Sequence, residues 1–267
     1  MKTWIDDLWL YRLELEIKEH TLPMLYVPGM HEGGWIFLKN WLPATKAAGF
    51  DGWALNLRGH HGSRPVKNIG KISLQDYARD IEDIVDHIGP CILIGKSMGG
   101  LASQLVAARR PEVRGLVLLS STPPRGILAG SPTSLLTYLK LRYLIPSIFH
   151  RPLRPYLEEI KRMVLNNVHS ADERDRIFSQ LVVDSGYVTQ QISLGLVGVD
   201  YKKITCPVLV VGASHDKLMP PGIQQAIARK HLRGEYIEFP GGHMLPIEQG
   251  WQAPIEKILK WVVEVVE

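Results

Sequence analysis

The feature that most constrains the fold is a glycine-rich junction between a predicted strand and a predicted helix. An apolar run at residues 91–94 predicts a strand buried on both faces, as in a parallel sheet. It leads into Gly95-Lys96-Ser97-Met98-Gly99-Gly100, and a helix is predicted at residues 98–109. Small residues two positions before and after a serine let both backbones approach closely, so that the serine sits on a strained turn above the sheet. This context favours a nucleophilic Ser97 over an incidental loop serine. The spacing of a phosphate-binding loop, Gly-x-x-x-x-Gly-Lys-Ser/Thr, is not present.

Strands alternate with helices on both sides of this junction. Strands are predicted at residues 8–17, 22–27, 50–57, 91–94, 113–119, 208–211 and 235–239. Helices are predicted at residues 36–48, 74–87, 98–109, 221–231 and 247–266, with Ser73 as the N-cap of the second. The alternation predicts an α/β protein with a mostly parallel, doubly wound sheet covered by helices on both faces. The valine-rich end of the last helix is expected to pack on that sheet.

The alternation stops between residues 122 and 201. This segment has no strand-like runs, and its helical stretches are broken by Pro132, Pro146, Pro152 and Pro155. We therefore predict a core domain formed by residues 1–121 and 202–267, with a helical cap inserted at residues 122–201. Between residues 125 and 162 the cap has seven Lys or Arg and two Glu, a net charge of +5. Steering of an anionic substrate is one hypothesis for this charge, and a solvated face of amphipathic helices is the favoured one.

Composition excludes several other classes of protein. The chain has 267 residues, of which 45% are hydrophobic and 22% charged, as is ordinary for a globular protein. Its net charge is +4, but the Lys and Arg residues form no continuous run on one helix, so nucleic-acid binding is not expected. The two cysteines each begin an apolar run, which argues against disulfides and metal sites and for a reducing compartment. Asp6 and Asp7 argue against a signal peptide, and no stretch approaches the roughly 18 apolar residues of a membrane span, so we expect a cytoplasmic protein.

Two further residues follow late strands in the order that a catalytic triad on such a sheet requires. Asp216 follows the strand at 208–211 within Gly-Ala-Ser-His-Asp, and His243 follows the strand at 235–239 within Pro-Gly-Gly-His. Loops at the carboxyl ends of parallel strands meet at one edge of the sheet. Singly, Asp216 is equally typical of a helix cap and His243 of an exposed loop. Together with Ser97 they predict a nucleophile, an orienting acid and a general base.

With these motifs the sequence resembles the α/β-hydrolase fold superfamily over nearly its whole length. The matching segments are Val-Pro-Gly-Met at 27–30, Asn-Leu-Arg-Gly-His-His-Gly-Ser at 56–63, the junction at 95–99, residues 212–216 and Gly-Gly-His at 241–243. The resemblance implies that Ser97, Asp216 and His243 are the triad and that the backbone N–H groups of Met30 and Met98 form an oxyanion hole. This chain has Pro28 where the family usually has His, and Asn56 where it usually has Asp. We interpret Arg58 and His60 as residues that hold loops near the site.

The resemblance also implies an activity, a serine hydrolase that acts on carboxylic esters of small to medium apolar acyl groups. Thioesters, lactones, amides, carbon–carbon bonds next to a ketone and perhydrolysis stay open, as do a lyase and a non-catalytic ligand-binding member of the fold. Substrate contacts are predicted at His31, Trp35, Leu135 and Leu139. No metal or cofactor is expected, a small-molecule ester is the expected partner, and both a monomer and a homodimer stay open.

Overall fold

A mixed sheet of eight strands forms the centre of the molecule. The computed structural model describes residues 2–15, 19–128, 136 and 139–266. The strands of the large sheet are β1 (Lys2–Ile5), β2 (Leu8–Arg12), β3 (Met24–Val27), β4 (Gly52–Leu55), β5 (Cys91–Lys96), β6 (Val113–Leu119), β9 (Val208–Ala213) and β10 (Gly234–Phe239). Their order is β1-β2-β4-β3-β5-β6-β9-β10. Among the described strands of this sheet, only the β1–β2 and β2–β4 pairs are antiparallel, so the predicted, mostly parallel sheet is confirmed.

Helices cover both faces of this sheet. Together with those of the 122–201 segment, the helices in the described residues are α1 (Trp35–Leu38), α2 (Trp41–Ala47), α3 (Leu74–Ile88), α4 (Met98–Ala107), α5 (Leu141–Ile148), α6 (Leu157–Met163), α7 (Ala171–Ser179), α8 (Gly186–Ser193), α9 (Pro221–Ala228) and α10 (Gln252–Trp261). Short 3₁₀ turns lie at Ile69–Lys71 and Tyr201–Lys203, and a π-helical turn at Val262–Val266 follows α10. The buried side chains of α3, α4 and α9 pack on one face of the sheet, and those of α1, α2 and α10 pack on the other. The core is therefore two apolar layers separated by the sheet.

Local sequence explains the elements that were predicted most accurately. The α3 helix begins at a capping box, in which the Ser73 hydroxyl accepts from the Asp76 N–H and the Asp76 carboxylate accepts from the Ser73 N–H. Strand β6 has the bounds that its apolar run predicted. The π-helical turn packs on this strand as expected, because a side chain at Gly115 would collide with Val266.

Other elements differ from the prediction. The helix expected at 36–48 is two helices, α1 and α2, and the helix expected from 247 begins only at Gln252. The β1 strand was not predicted, because its single buried residue, Ile5, gives too weak a period-2 signal. The strand predicted at 8–17 ends at Arg12, and residues 16 and 17 lie outside the described residues.

The 122–201 segment leaves the sheet after β6 and returns to it before β9. It contains α5 to α8 and two short strands, β7 (Pro152–Leu153) and β8 (Asp184–Ser185), which pair antiparallel. We expected no strands in this segment, and that prediction is wrong for these four residues. Each strand has only two residues, which is too short for a detectable pattern. Buried side chains of the segment join both apolar layers of the core. Within the residues that the structure describes, no helix has both the length and the apolar character to cross a membrane.

Candidate active site

Ser97 lies on the tight turn between β5 and α4. Its backbone is left-handed, with φ 51° and ψ −121°, a conformation that a non-glycine residue adopts only where its surroundings enforce it. The glycines beside it are required because a side chain would not fit at their positions. A Cβ atom at Gly99 would lie 2.3 Å from the carbonyl oxygen of Pro28. Because of this close approach, the serine is held at the carboxyl edge of the sheet, at the first turn of a helix whose N-terminus favours negative charge.

Asp216 and His243 form a buried hydrogen-bonded pair in the loops that follow β9 and β10. The Nδ1 atom of His243 lies 2.8 Å from Oδ2 of Asp216. The other oxygen, Oδ1, accepts from the N–H groups of Leu218 and Met219, each at 2.9 Å. Burial alone would raise the pKa of the Asp216 carboxyl, but the attraction of His243 and the hydrogen bonds hold it below its ordinary value. The carboxylate is therefore ionised at neutral pH and fixes the Nδ1–H tautomer of His243, which leaves Nε2 free to accept a proton.

A second buried carboxylate holds the loop of His243. Glu248 accepts from the N–H of Gly242 at 2.6 Å and from the N–H of Met244 at 2.9 Å. Its Oε2 also accepts from the side-chain amide of Asn167, which belongs to the 122–201 segment. The N–H groups of the residues before and after His243 are therefore held by one side chain. Sequence reasoning missed Glu248, because a glutamate in a loop has no local signal for such a role.

The backbone N–H groups of Met30 and Met98 are candidates for stabilising an anion. Neither N–H donates to an acceptor among the described residues, whereas the neighbouring N–H groups of Gly29 and His31 both do. Met30 and Met98 line the same cavity as Ser97. Two unpaired N–H groups beside a buried serine match what an oxyanion hole requires.

A buried ion pair joins the loop of Met30 to the serine turn. Lys96, directly before Ser97, is fully buried, and its Nζ lies 2.6 Å from Oε1 of Glu32. The other carboxylate oxygen of Glu32 accepts from the N–H of Gly29 at 2.9 Å. No sequence signal pointed to this pair, since its members are 64 residues apart and a lysine is usually exposed. The pair fixes the spacing between the two loops that supply Met30 and Ser97.

A cavity of about 80 Å³ opens onto these residues beneath the 122–201 segment. Ser97, His243, Met30 and Met98 line its floor, and the 122–201 segment forms its roof. The roof is almost wholly apolar, and the side chains that form it are those of Thr122, Tyr143, Leu153, Pro155, Ile160, Met163, Val164, Leu181, Thr189 and Ile192. The lining of the cavity is therefore mostly apolar, with Ser97 and His243 as polar side chains at its floor. A larger depression of about 510 Å³ lies between Arg114 and Arg233, at the opposite edge of the strands, and it contains none of the predicted site residues.

The residues predicted to contact substrate are not all brought together. His31 lines the cavity, and its Nδ1 lies 2.8 Å from the carbonyl oxygen of Val182. Trp35 does not line the cavity, because it lies on α1 beside a separate surface depression. Leu139 is also outside the cavity lining and is 66% exposed. Leu135 lies outside the described residues. Of the three that the structure describes, His31 alone is placed against the cavity.

Arg58 and His60 hold loops, as we interpreted from the sequence. Two guanidinium nitrogens of Arg58, Nε and Nη2, donate to the carboxylate of Asp80, which is fully buried. His60 lies 3.1 Å from Asp184 of the 122–201 segment. The described residues contain no group of three His, Cys, Asp or Glu arranged to hold a metal ion.

The basic stretch of the 122–201 segment is partly neutralised. Lys140 and Arg142 both pair with Glu159, a buried carboxylate, and Lys161 pairs with Asp175. These ion pairs lower the positive potential that would steer an anionic substrate, and the steering hypothesis stays a prediction.

A protein family and several solved structures are similar to this chain. The model of the alpha/beta hydrolase family matches residues 24–256. The chain superposes on a thermophilic esterase from Thermogutta terrifontis with a TM-score of 0.73 and 19% identity, over 100% of both chains. It superposes on the enol-lactonase from Burkholderia xenovorans with a TM-score of 0.71 and 17% identity, over 99% of this chain and 100% of that one. At these identities the likeness shows the fold alone.

A shorter likeness to a curated protein covers one part of the chain. Over 81 residues, 28% of this chain, it is 37% identical to the poly(3-hydroxyalkanoate) polymerase subunit PhaC of Allochromatium vinosum. The match spans 23% of that protein, so the chain corresponds to less than a quarter of the relative's length.

Proposed function

The chain belongs to the alpha/beta hydrolase family, and on that premise we propose that it is a serine hydrolase that cleaves carboxylic esters of small to medium apolar acids. Ser97 is the nucleophile, His243 the general base and Asp216 the orienting acid. The observation that carries the proposal is the buried 2.8 Å hydrogen bond between His243 and Asp216. His243 lines the same cavity as Ser97. The 122–201 segment acts as the cap of the site.

The reaction proceeds through an acyl-enzyme. The Nε2 atom of His243 takes the proton of the Ser97 hydroxyl as Oγ attacks the ester carbonyl. Negative charge develops on the carbonyl oxygen and is stabilised by the N–H groups of Met30 and Met98. His243 then gives its proton to the leaving alcohol. Water, deprotonated by His243, attacks the acyl-enzyme and releases the acid and Ser97.

The apolar roof supports selectivity for an apolar acyl group. Each buried methylene contributes about 0.8 kcal/mol, which is roughly a fourfold gain in kcat/KM while the chain still fits. Because the cavity is small, about 80 Å³, the gain should end within a few carbons unless the cap moves. Lactones and thioesters present the same carbonyl to Ser97, so they belong in the same substrate panel.

The test combines covalent labelling with turnover. Wild-type protein is treated with a fluorophosphonate and its intact mass measured, and p-nitrophenyl esters of graded chain length, a lactone and a thioester are assayed in parallel. We expect one adduct on Ser97 and none in Ser97→Ala. Asp216→Asn should lower kcat by about 10³- to 10⁴-fold, because the wrong tautomer of His243 then faces Ser97.

Ser103→Ala is the matched control. Ser103 is a buried serine on α4 whose hydroxyl has no hydrogen-bond partner among the described residues, and its loss should leave labelling and turnover unchanged. A folded wild-type protein that takes no fluorophosphonate and turns over no ester would contradict the proposal.

A further inference from the structure

The N–H of Met30 lies between two peptides that are each held by a buried carboxylate. On one side, Glu32 accepts from the N–H of Gly29, as described above. On the other side, the N–H of His31 donates to Oδ2 of Asp184 at 2.8 Å. His31 has φ 67°, in the left-handed region that a non-glycine residue occupies only where other contacts stabilise it. The direction of the Met30 N–H is therefore set by the groups that hold its two neighbours.

The second of these carboxylates comes from the cap, which contacts residues 30 and 31 repeatedly. The N–H of Val182 donates to the carbonyl oxygen of His31 at 2.9 Å, and the carbonyl oxygen of Val182 lies 2.8 Å from Nδ1 of the His31 ring. The Thr189 hydroxyl lies 3.8 Å from the sulfur of Met30. Residues 182–189 thus run along the loop of Met30 and make part of its wall.

Asp184 is itself rigidly held. Its Oδ1 accepts from the Tyr77 hydroxyl and from the Ser185 N–H, each at 2.6 Å, and its Oδ2 faces Nε2 of His60 at 3.1 Å as well as the His31 N–H. Both Asp184 and His60 are completely buried. A buried carboxylate with four donors has one favourable orientation, since moving it would leave a charge unpaired.

His60 is the cation that balances this carboxylate. Its Nδ1 lies 2.9 Å from the carbonyl oxygen of Arg58, and its Nε2 faces Asp184. Both neighbours are acceptors, so both ring nitrogens must donate, and the ring is an imidazolium. Burial alone would lower the pKa of His60, but the charge of Asp184 raises it above its ordinary value, while His60 in turn lowers the pKa of Asp184 despite its burial. The core thus fixes Asp184 through His60 and Tyr77.

We infer that Asp184 is a positioning residue for acyl transfer, through which the cap sets the direction of the Met30 N–H toward the oxyanion. This inference rests on the proposed function. Asp184 does not touch substrate. It acts on the transition state through the His31 amide, and its loss should lower kcat and leave KM nearly unchanged, since the ground-state carbonyl needs the oxyanion donor far less.

The test replaces Asp184 by Asn, which has the same size but only one acceptor oxygen for four donors. With a short p-nitrophenyl ester we expect kcat to fall about 10- to 100-fold, less than the 10²- to 10³-fold typical of complete removal of an oxyanion donor, and KM to change less than about twofold. A trifluoromethyl ketone provides a second readout. Ser97 Oγ adds to its carbonyl carbon, the serine proton passes to His243, and an oxyanion remains, so its affinity should fall by the same factor as kcat.

Asp51→Asn is the matched control. Asp51 is also a buried carboxylate, held by Arg12, but it precedes β4 at the opposite edge of the sheet. It should lose stability and keep the wild-type kcat and ketone affinity. The inference is overturned if folded Asp184→Asn retains kcat within twofold, or if KM rather than kcat absorbs the loss.

Two further outcomes are distinguishable. If Asp184→Asn does not fold, Tyr77→Phe frees Asp184 from one donor while keeping its charge. Because Asp184 then loses one of its four donors, kcat and ketone affinity should fall together by about threefold. If both stay at the wild-type value, the inference is overturned. If wild-type protein itself forms no fluorophosphonate adduct, the proposed function fails, which is a different result from an active wild type that does not need Asp184.

Discussion

Breaking the buried ion pair between Lys96 and Glu32 should destabilise the protein far more than removing both charges. The pair is almost inaccessible to water, with side chains 0% and 4% exposed and a 2.6 Å contact. In Lys96→Met, Glu32 keeps its hydrogen bond from Gly29 but loses its counter-charge. In Glu32→Gln, the Lys96 ammonium is left buried with no carboxylate, since Glu32 is its one hydrogen-bond partner among the described residues. Each single variant leaves an uncompensated buried charge.

The expected magnitudes follow from that burial. Removal of one partner of a buried pair costs about 3–5 kcal/mol, while replacement of both by apolar groups of similar volume is close to neutral. In Glu32→Gln the new side-chain amide oxygen can still accept from Gly29, so the double variant keeps that hydrogen bond. The N–H₂ group of that amide has no acceptor once Lys96 is replaced by Met, so we expect the double variant to lose about 1–3 kcal/mol. The two substitutions are then coupled by at least about 3 kcal/mol.

The assay is a double-mutant cycle of urea unfolding at pH 7, followed by both tryptophan fluorescence and circular dichroism so that coincident transitions support the free energies. The half-exposed pair of Arg110 and Asp86 provides the control cycle, for which we expect a coupling of about 0–1 kcal/mol. Additive losses for Lys96 and Glu32, with no coupling above that of the control pair, would refute the reasoning.

Two further predictions concern packing at the serine turn and a buried histidine. Gly99→Ala should destabilise the protein by about 3 kcal/mol or more in urea unfolding, because the new Cβ would lie 2.3 Å from the Pro28 carbonyl oxygen. The control is Gly222→Ala, where a Cβ meets nothing within 4 Å and the change should be neutral or stabilising. Similar losses of stability at both positions would contradict this account. Burial lowers the pKa of His231 from 6.5 to about 4, so the unfolded chain binds more protons between these values and stability falls as the pH drops from about 6.5 to 4, by at most about 3 kcal/mol. His231→Phe should remove that part of the pH dependence in unfolding curves from pH 4 to 7, and an unchanged slope would count against it.

Much of the fold could be predicted because its signals are local. The pattern of apolar residues that predicts strand β6 lies within the strand itself. Helix α3 has both its helical periodicity and its capping residues within a few positions along the chain. The helix expected at 36–48 was predicted less well. A continuous apolar pattern does not reveal that the chain turns between α1 and α2, which is decided by how each packs on the sheet.

The three catalytic candidates were also accessible from sequence, for a related reason. Ser97, Asp216 and His243 each follow a predicted strand, and parallel strands bring their carboxyl ends to one edge of the sheet whatever the details of packing. This rule predicts that residues far apart in the chain lie close together at that edge, even when their side-chain contacts are unknown. The Asp216–His243 hydrogen bond is the contact that it anticipates.

What holds those residues in position could be seen only in the folded chain. Glu32 reaches Lys96 across 64 residues, and Asp184 reaches His31 across 153, and neither separation leaves a local pattern. A charged side chain in a sequence is expected to be exposed, and only the folded chain shows which charges are buried and paired. The layers of the fold and the order of the reactive groups were therefore accessible from the amino-acid sequence, because periodicity and turn chemistry are local. The buried charges that fix the geometry of those groups depend on where distant segments meet, and that is a property of the packed structure.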